Sequence, residues 1–141
     1  MSQSRDEMIS ALKRVVIPVM RGLGFSGSFP HLRRRGSTKI DLLTFQFDRN
    51  GGGFIIEIAQ CSLEGVTTHW GKHITPNKVS AWDVHPNQRL RLQPHSGSGT
   101  DSWFRFDFVD ARAIAQSVLP FLEQANVWYA AGAPIDGSGV R

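Results

Sequence analysis

The chain has 141 residues, 40% of them hydrophobic and 20% charged, which suits one globular domain and excludes a disordered or fibrous chain. Its one cysteine, Cys61, excludes an internal disulfide, and no apolar run approaches the ~20 residues of a membrane span. The formal charge of +4 is uneven: residues 1–40 carry eight Lys/Arg against Asp6 and Glu7, whereas the remaining 101 carry eight against ten.

The first element in chain order is a helix over residues 5–23. Ser4 and Glu7 have the spacing of a capping box, and Met8, Leu12, Val15, Val19 and Leu23 recur near the helical period. Gly24 suits the left-handed residue that ends a helix, with Phe25 folding back onto Met20. Pro18 cannot donate to the carbonyl of Arg14, which predicts a kink or a break.

Strands follow. Residues 29–35 read as a short edge strand, with Pro30 and three successive arginines. Residues 39–48 read as a second strand. Ile40 and Leu42 share one parity while Leu43, Phe45 and Phe47 share the other, so the strand is either bulged or covered on both faces. Asn50 and the three glycines after it make a hairpin turn into residues 54–60, where Phe54, Ile56 and Ile58 share a face. Residues 62–87 are irregular. Residues 88–93 alternate again, with Leu90 and Leu92 inward and Arg89 and Arg91 outward, and so do residues 103–108 beyond a flexible loop at 96–102.

A second helix spans 110–125, capped by Asp110, with its stripe at Ile114, Val118, Phe121, Leu122 and Ala125 and an interruption at Pro120. The expected architecture is a single α+β domain over residues 1–130 with a flexible tail at 131–141. An antiparallel sheet of four to six strands carries both helices on one face.

These residues also carry a family resemblance. Leu23-Gly24-Phe25 follows a helix; Phe29 precedes Arg33, Arg34 and Arg35; Phe45-Gln46 precedes a hairpin into Phe54-Ile55-Ile56. In this the chain resembles the uncharacterised bacterial family named domain of unknown function 4304, across roughly residues 8–125. The resemblance implies a compact α+β domain in a bacterium and brings no activity, cofactor or catalytic residue with it.

The densest candidate site lies between residues 69 and 103, in His69, Trp70, His73, Trp82, Asp83, His85 and Trp103. Large aromatics with nearby polar groups are what a ligand pocket needs, and irregular segments on a rigid sheet are where such pockets sit. The competing reading makes the tryptophans a cap over the core. His69 and His73 converge on one metal ion only on a helix, which Gly71 opposes, so no metal and no cofactor are expected. Cys61 ends an apolar strand, where a lone thiol is commonly inert. Glu57, inside an apolar strand, reads as a solvent-facing carboxylate.

Arg33, Arg34 and Arg35 are the candidate contact for nucleic acid or an acidic partner. On a strand Arg34 points away from its neighbours, so the three form no single phosphate-binding stripe. The function expected is a small non-enzymatic binding or protein-interaction module, immunity-protein-like by analogy alone, whose partner is a protein with an acidic surface. A small enzyme or ligand-binding protein with its pocket around residues 69–103 is the first alternative. A nucleic-acid binder using the basic N-terminal third is the second. The lone thiol and the N-terminus without an apolar run point to the cytoplasm and away from a membrane.

Overall fold

A computed structural model of the chain describes residues 2–49, 51–92, 103–107 and 109–132. Helix α1 (Ser2–Gly22) leads into β1 (His31–Arg35), β2 (Lys39–Phe47) and β3 (Gly53–Ser62). A ribbon of β4 (Val66–Thr67) and β5 (His73–Ile74) follows, then two 3-10 turns at Ala81–Asp83 and Pro86–Gln88. β6 (Leu90–Leu92), β7 (Phe104–Arg105) and α2 (Ala111–Ala131) come last. The main sheet has five antiparallel strands in the order β1-β2-β3-β6, with β7 also on β3. β6 pairs with Ile56–Ile58 and β7 with Gly53–Phe54, so the two lie end to end along one edge of β3.

The class is α+β, with both helices on one face. Met8, Leu12 and Val16 of α1 and Val118 and Leu122 of α2 share one core with Leu43, Phe45, Phe54 and Ile56 of the sheet. A second, smaller core lies on the opposite face, where Ile40, Leu42 and Ala59 meet Val79, Ala81 and Val84 of the irregular segment. The two cores account for the parity switch in β2. Its register with β3 runs unbroken from Lys39↔Ser62 to Phe47↔Phe54, so the strand has no bulge and is covered on both faces.

Local chemistry explains where α1 ends and where α2 begins. At the end of α1, Gly24 takes φ 99°, its N–H donates to the Arg21 carbonyl, and the Phe25 N–H donates to Met20. That is the paired closure expected of a left-handed glycine cap. At the start of α2, the Asp110 carboxylate accepts from the Ala113 N–H at 3.1 Å.

Other expectations need correction. α1 begins at Ser2, so Ser4 lies inside its first turn and does not cap it. Its buried side turns around the helix from Met8, Ala11 and Leu12 to Val16, Ile17 and Met20, because α1 packs on both the sheet and α2; Val19 and Leu23 stay exposed. Both helices run through their prolines. Pro18 and Pro120 are exposed, so water reaches the carbonyl each leaves unpaired. β1 starts at His31, two residues later than expected. α2 continues to Ala131, well past the helix end expected at residue 125. The loop at 96–102 and residues 133–141 of the expected tail lie outside the described residues.

Candidate functional site

The irregular segment builds a cleft on the face opposite the helices. One wall is the β4–β5 ribbon and its turn. The Gly71 N–H donates to the Thr68 carbonyl and Gly71 takes φ 94°, which reverses the chain at His69-Trp70. Gly65, at φ 98°, starts the ribbon where the Ile74 carbonyl leaves no room for a Cβ. The other wall is the pair of 3-10 turns, carrying Trp82, Asp83 and His85. The floor is the end of β3, at Gln60 and Cys61. The cleft has a volume of about 640 Å³.

Two arginines hold the second wall in place. Arg89 donates Nε to the Val84 carbonyl at 2.8 Å, Nη2 to the Trp82 carbonyl at 2.8 Å and Nη1 to Glu57 at 3.0 Å. Arg33 reaches from β1 to the Val79 carbonyl with Nε at 3.1 Å and Nη2 at 2.8 Å. Glu57 therefore does not face solvent as the sequence suggested. It is buried between Arg89 and Arg91, at 3.0 and 3.1 Å; both arginines lie on the face away from the helices as the alternation predicted, Arg91 partly exposed, whereas Leu90, expected inward, is exposed. The desolvated carboxylate is tolerable because it meets two guanidinium groups.

Of the seven residues proposed from sequence, the structure brings five to this cleft: His69, Trp70, Trp82, Asp83 and His85. Trp70 is 67% and Trp82 43% exposed, so neither caps the core. The His69 ring stands edge-on to Trp70 at 4.8 Å, and Trp82 is backed edge-on by His31 at 4.9 Å. Asp83 is taken up locally: its carboxylate accepts from the Ser80 N–H at 2.8 Å and closes the turn. His85 Nδ1 accepts from the Asn87 N–H at 3.0 Å, so a neutral ring carries its proton on Nε2.

His73 sits instead on the exposed side of β5, 3.1 Å from the Thr67 hydroxyl. Trp103 lies beyond Trp82, in a separate groove along β2, with the Arg105 guanidinium 5.4 Å from its ring. Among the described residues, no group of three or more His, Cys, Asp or Glu side chains is placed to hold a metal ion.

Sequence reading missed Cys61, Arg89 and His31 as parts of this region. Burial pushes the Cys61 thiol up to about 11; Arg33 opposes this in part and Asp83 adds to it. Burial also holds the His31 imidazole below the ordinary histidine range; Arg33 adds to this and Asp83 partly opposes it. The floor thiol is thus a poor nucleophile, and the cleft offers aromatic surface and hydrogen-bonding groups for recognition.

The arginine run divides as its alternation predicted. Arg33 serves the cleft wall. Arg34 faces the helices, where it pairs with Asp41 at 2.9 Å, donates to the Leu23 carbonyl and Asn126, and packs over the Phe25 and Tyr129 rings at 4.5 and 5.4 Å. Arg35 is exposed.

The class these features define is a small α+β domain whose sheet carries a helical core on one side and an open aromatic cleft on the other. The chain belongs to the family described as domain of unknown function (DUF4304), whose model matches residues 16–132. No curated protein and no solved structure matches it. No helix among the described residues is long and apolar enough to cross a membrane.

Proposed function

We propose that the protein is a non-enzymatic recognition module of the bacterial cytoplasm, and that the cleft between the ribbon and the 3-10 turns is its binding face for another protein. One observation carries the reading: Trp70 and Trp82, 67% and 43% exposed, rim the same cleft, and the wall that carries Trp82 is braced by Arg33 and Arg89. Large aromatics held rigidly at a surface are the usual anchors of protein interfaces, because covering them removes much apolar area at little entropic cost. The chemistry of the floor agrees, since a thiol held up to about 11 is not primed for covalent catalysis. A protein is favoured over nucleic acid because Arg33 and Arg34 are engaged within the fold and no phosphate-binding stripe is left at the arginine run. Neutralisation of another protein, as immunity proteins do, is the analogy that suits such a module.

A photo-crosslinking residue in place of Trp70, introduced in the native host, tests this. The expected result is a discrete protein adduct absent when the same residue replaces Val127, which is 70% exposed on α2. Adducts no different from that control overturn the reading. The volume of about 640 Å³ also suits a small-molecule site, and this sustains a second reading as a ligand-binding protein or small enzyme. Saturable quenching of tryptophan fluorescence by a small metabolite, lost in Trp70→Ala and without a protein adduct, would favour that second reading.

A further inference from the structure

The cleft presents hydrogen-bond donors that the fold does not use. The Asn87 N–H occupies the Nδ1 lone pair of His85 at 3.0 Å, so this exposed ring carries its proton on Nε2. The indole N–H groups of Trp70 and Trp82 can only donate, and no hydrogen bond to a described residue takes up either of them. Among the described residues that line the cleft, Asp83 is the one carboxylate and Arg89 the one guanidinium. Both are spent on the fold. Asp83 accepts from the Ser80 N–H at 2.8 Å and the Ser80 hydroxyl at 3.4 Å. Arg89 gives Nε, Nη1 and Nη2 to Val84, Glu57 and Trp82.

The charge behind these donors is positive. Residues 57–91 carry four Lys/Arg against Glu57, Glu64 and Asp83, although the chain from residue 41 onward is net acidic. Arg33 adds a fifth cation from β1, bonded to the Val79 carbonyl and not to a carboxylate. After burial itself, Arg33 acts more strongly than Asp83 on both the Cys61 thiol at the floor and the His31 ring behind Trp82. The excess is small and sits on guanidinium groups already bonded to the fold. It suits a single negative charge better than a phosphate dianion, which calls for a free guanidinium fork.

We propose, on the recognition reading above, that the cleft selects an acidic segment of its partner protein. One Asp or Glu carboxylate accepts from the His85 Nε2–H and the Trp82 indole N–H on the same wall, and apolar neighbours of that residue cover the Trp70 ring opposite. The neutral donors supply direction, and the cations behind them make a carboxylate a better occupant than an amide.

The probe is a capped pentapeptide with glutamate between two leucines, titrated into the full chain with tryptophan fluorescence as the signal, beside its counterpart with glutamine at the centre. The glutamate peptide should bind roughly tenfold more tightly. Asparagine and aspartate both serve as turn caps, so His85→Asn and His85→Asp each keep an acceptor for the Asn87 N–H. His85→Asn keeps a neutral donor as well and should bind the glutamate peptide within about twofold of the parent chain. His85→Asp puts a carboxylate in its place and should weaken that peptide roughly tenfold while leaving the glutamine peptide unchanged. Unaltered melting of both variants separates binding from folding. The proposal fails if the glutamate peptide does not outbind the glutamine one, or if the two His85 variants bind it equally. It fails too if a ten-nucleotide oligothymidine binds more tightly than the peptide. The crosslink at position 70 judges the recognition reading separately: an adduct without a glutamate preference leaves that reading standing and removes this one. A glutamate preference without any protein adduct makes a small carboxylate the occupant and overturns the acidic partner.

Discussion

Replacing Arg89 by alanine should loosen the cleft wall without unfolding the helical core. Arg89 makes three charge-assisted bonds, to the carbonyls of Val84 and Trp82 and to Glu57, and its side chain is 18% exposed against 11% for Glu57. Hydrogen bonds to charged groups contribute about 1.5–3 kcal/mol each when buried. The two carbonyls lie on a surface segment that water reaches once the side chain is gone, so most of their contribution is replaced. The Glu57 carboxylate keeps Arg91 at 3.1 Å and is not stranded. The expected loss is therefore about 2–3 kcal/mol, below the ~3–5 kcal/mol of a fully orphaned buried ion. Urea unfolding followed by tryptophan fluorescence measures it. Amide exchange localises it: residues 81–88 should lose protection while β2 and α2 keep theirs. Glu57→Gln in the same background should cost less than it does alone, because the two residues share a bond. A loss under about 0.5 kcal/mol, typical of an uninvolved surface position, together with unchanged exchange at 81–88, would refute the idea that Arg89 braces the wall.

Three further outcomes follow from the same geometry. At pH 8 the Cys61 thiolate should be about 100-fold scarcer than that of an ordinary thiol, given its rise from 9.0 to about 11, so iodoacetamide should label it slowly until urea unfolds the chain; equal rates in both states would contradict its burial. His31 is held below its ordinary 6.5 by burial, so the unfolded chain binds its proton more readily; stability from this group is fully present above 6.5 and is lost as pH falls from there toward the folded value. His31→Gln should flatten that part of the pH–stability curve, and an unchanged slope would exclude His31 as its source. Tyr129→Phe should cost about 1–2 kcal/mol in urea, because the buried hydroxyl donates to the Leu42 carbonyl at 2.7 Å; a neutral result would show the bond to be dispensable.

What the sequence revealed and what it hid divide by distance along the chain. The α1 glycine cap, the Asp110 cap and the β2–β3 hairpin depend on neighbours or on alternation and were legible; alternation in β2 left a bulge and a two-sided cover open, and the unbroken register decided between them. The side-chain partnerships were not legible. Glu57 looked solvent-facing because Arg89 and Arg91 stand 32 and 34 residues away. Arg33 and Arg34 looked like a surface run because Val79 and Asn126 lie 46 and 92 residues from them. Composition did locate the cleft, since aromatics and histidines crowd a segment without periodicity. It could not separate His73 and Trp103 from the rest. His73 is set apart by the turn at Gly71, and Trp103 by the position of β7 on the far edge of β3.

The two faces of the sheet are stabilised by different means, and this bears on where function can reside. The helical face closes over large side chains such as Phe45, Phe54, Met8 and Leu12, all fully buried, so substitutions there leave cavities. The opposite face offers smaller contacts, with Ala59 and Ala81 at its centre, and cannot hold an irregular segment by burial alone. Arginine bonds to backbone carbonyls substitute for that missing area. Arg33 fixes Val79 from β1, and Arg89, just before β6, fixes Trp82 and Val84, so the segment is anchored at both ends through groups that ignore side-chain identity. The side chains of Trp70 and Trp82, both exposed, carry little of the fold. They are therefore open to change for the sake of a partner, while the carbonyls that hold the wall remain whatever side chains occupy it.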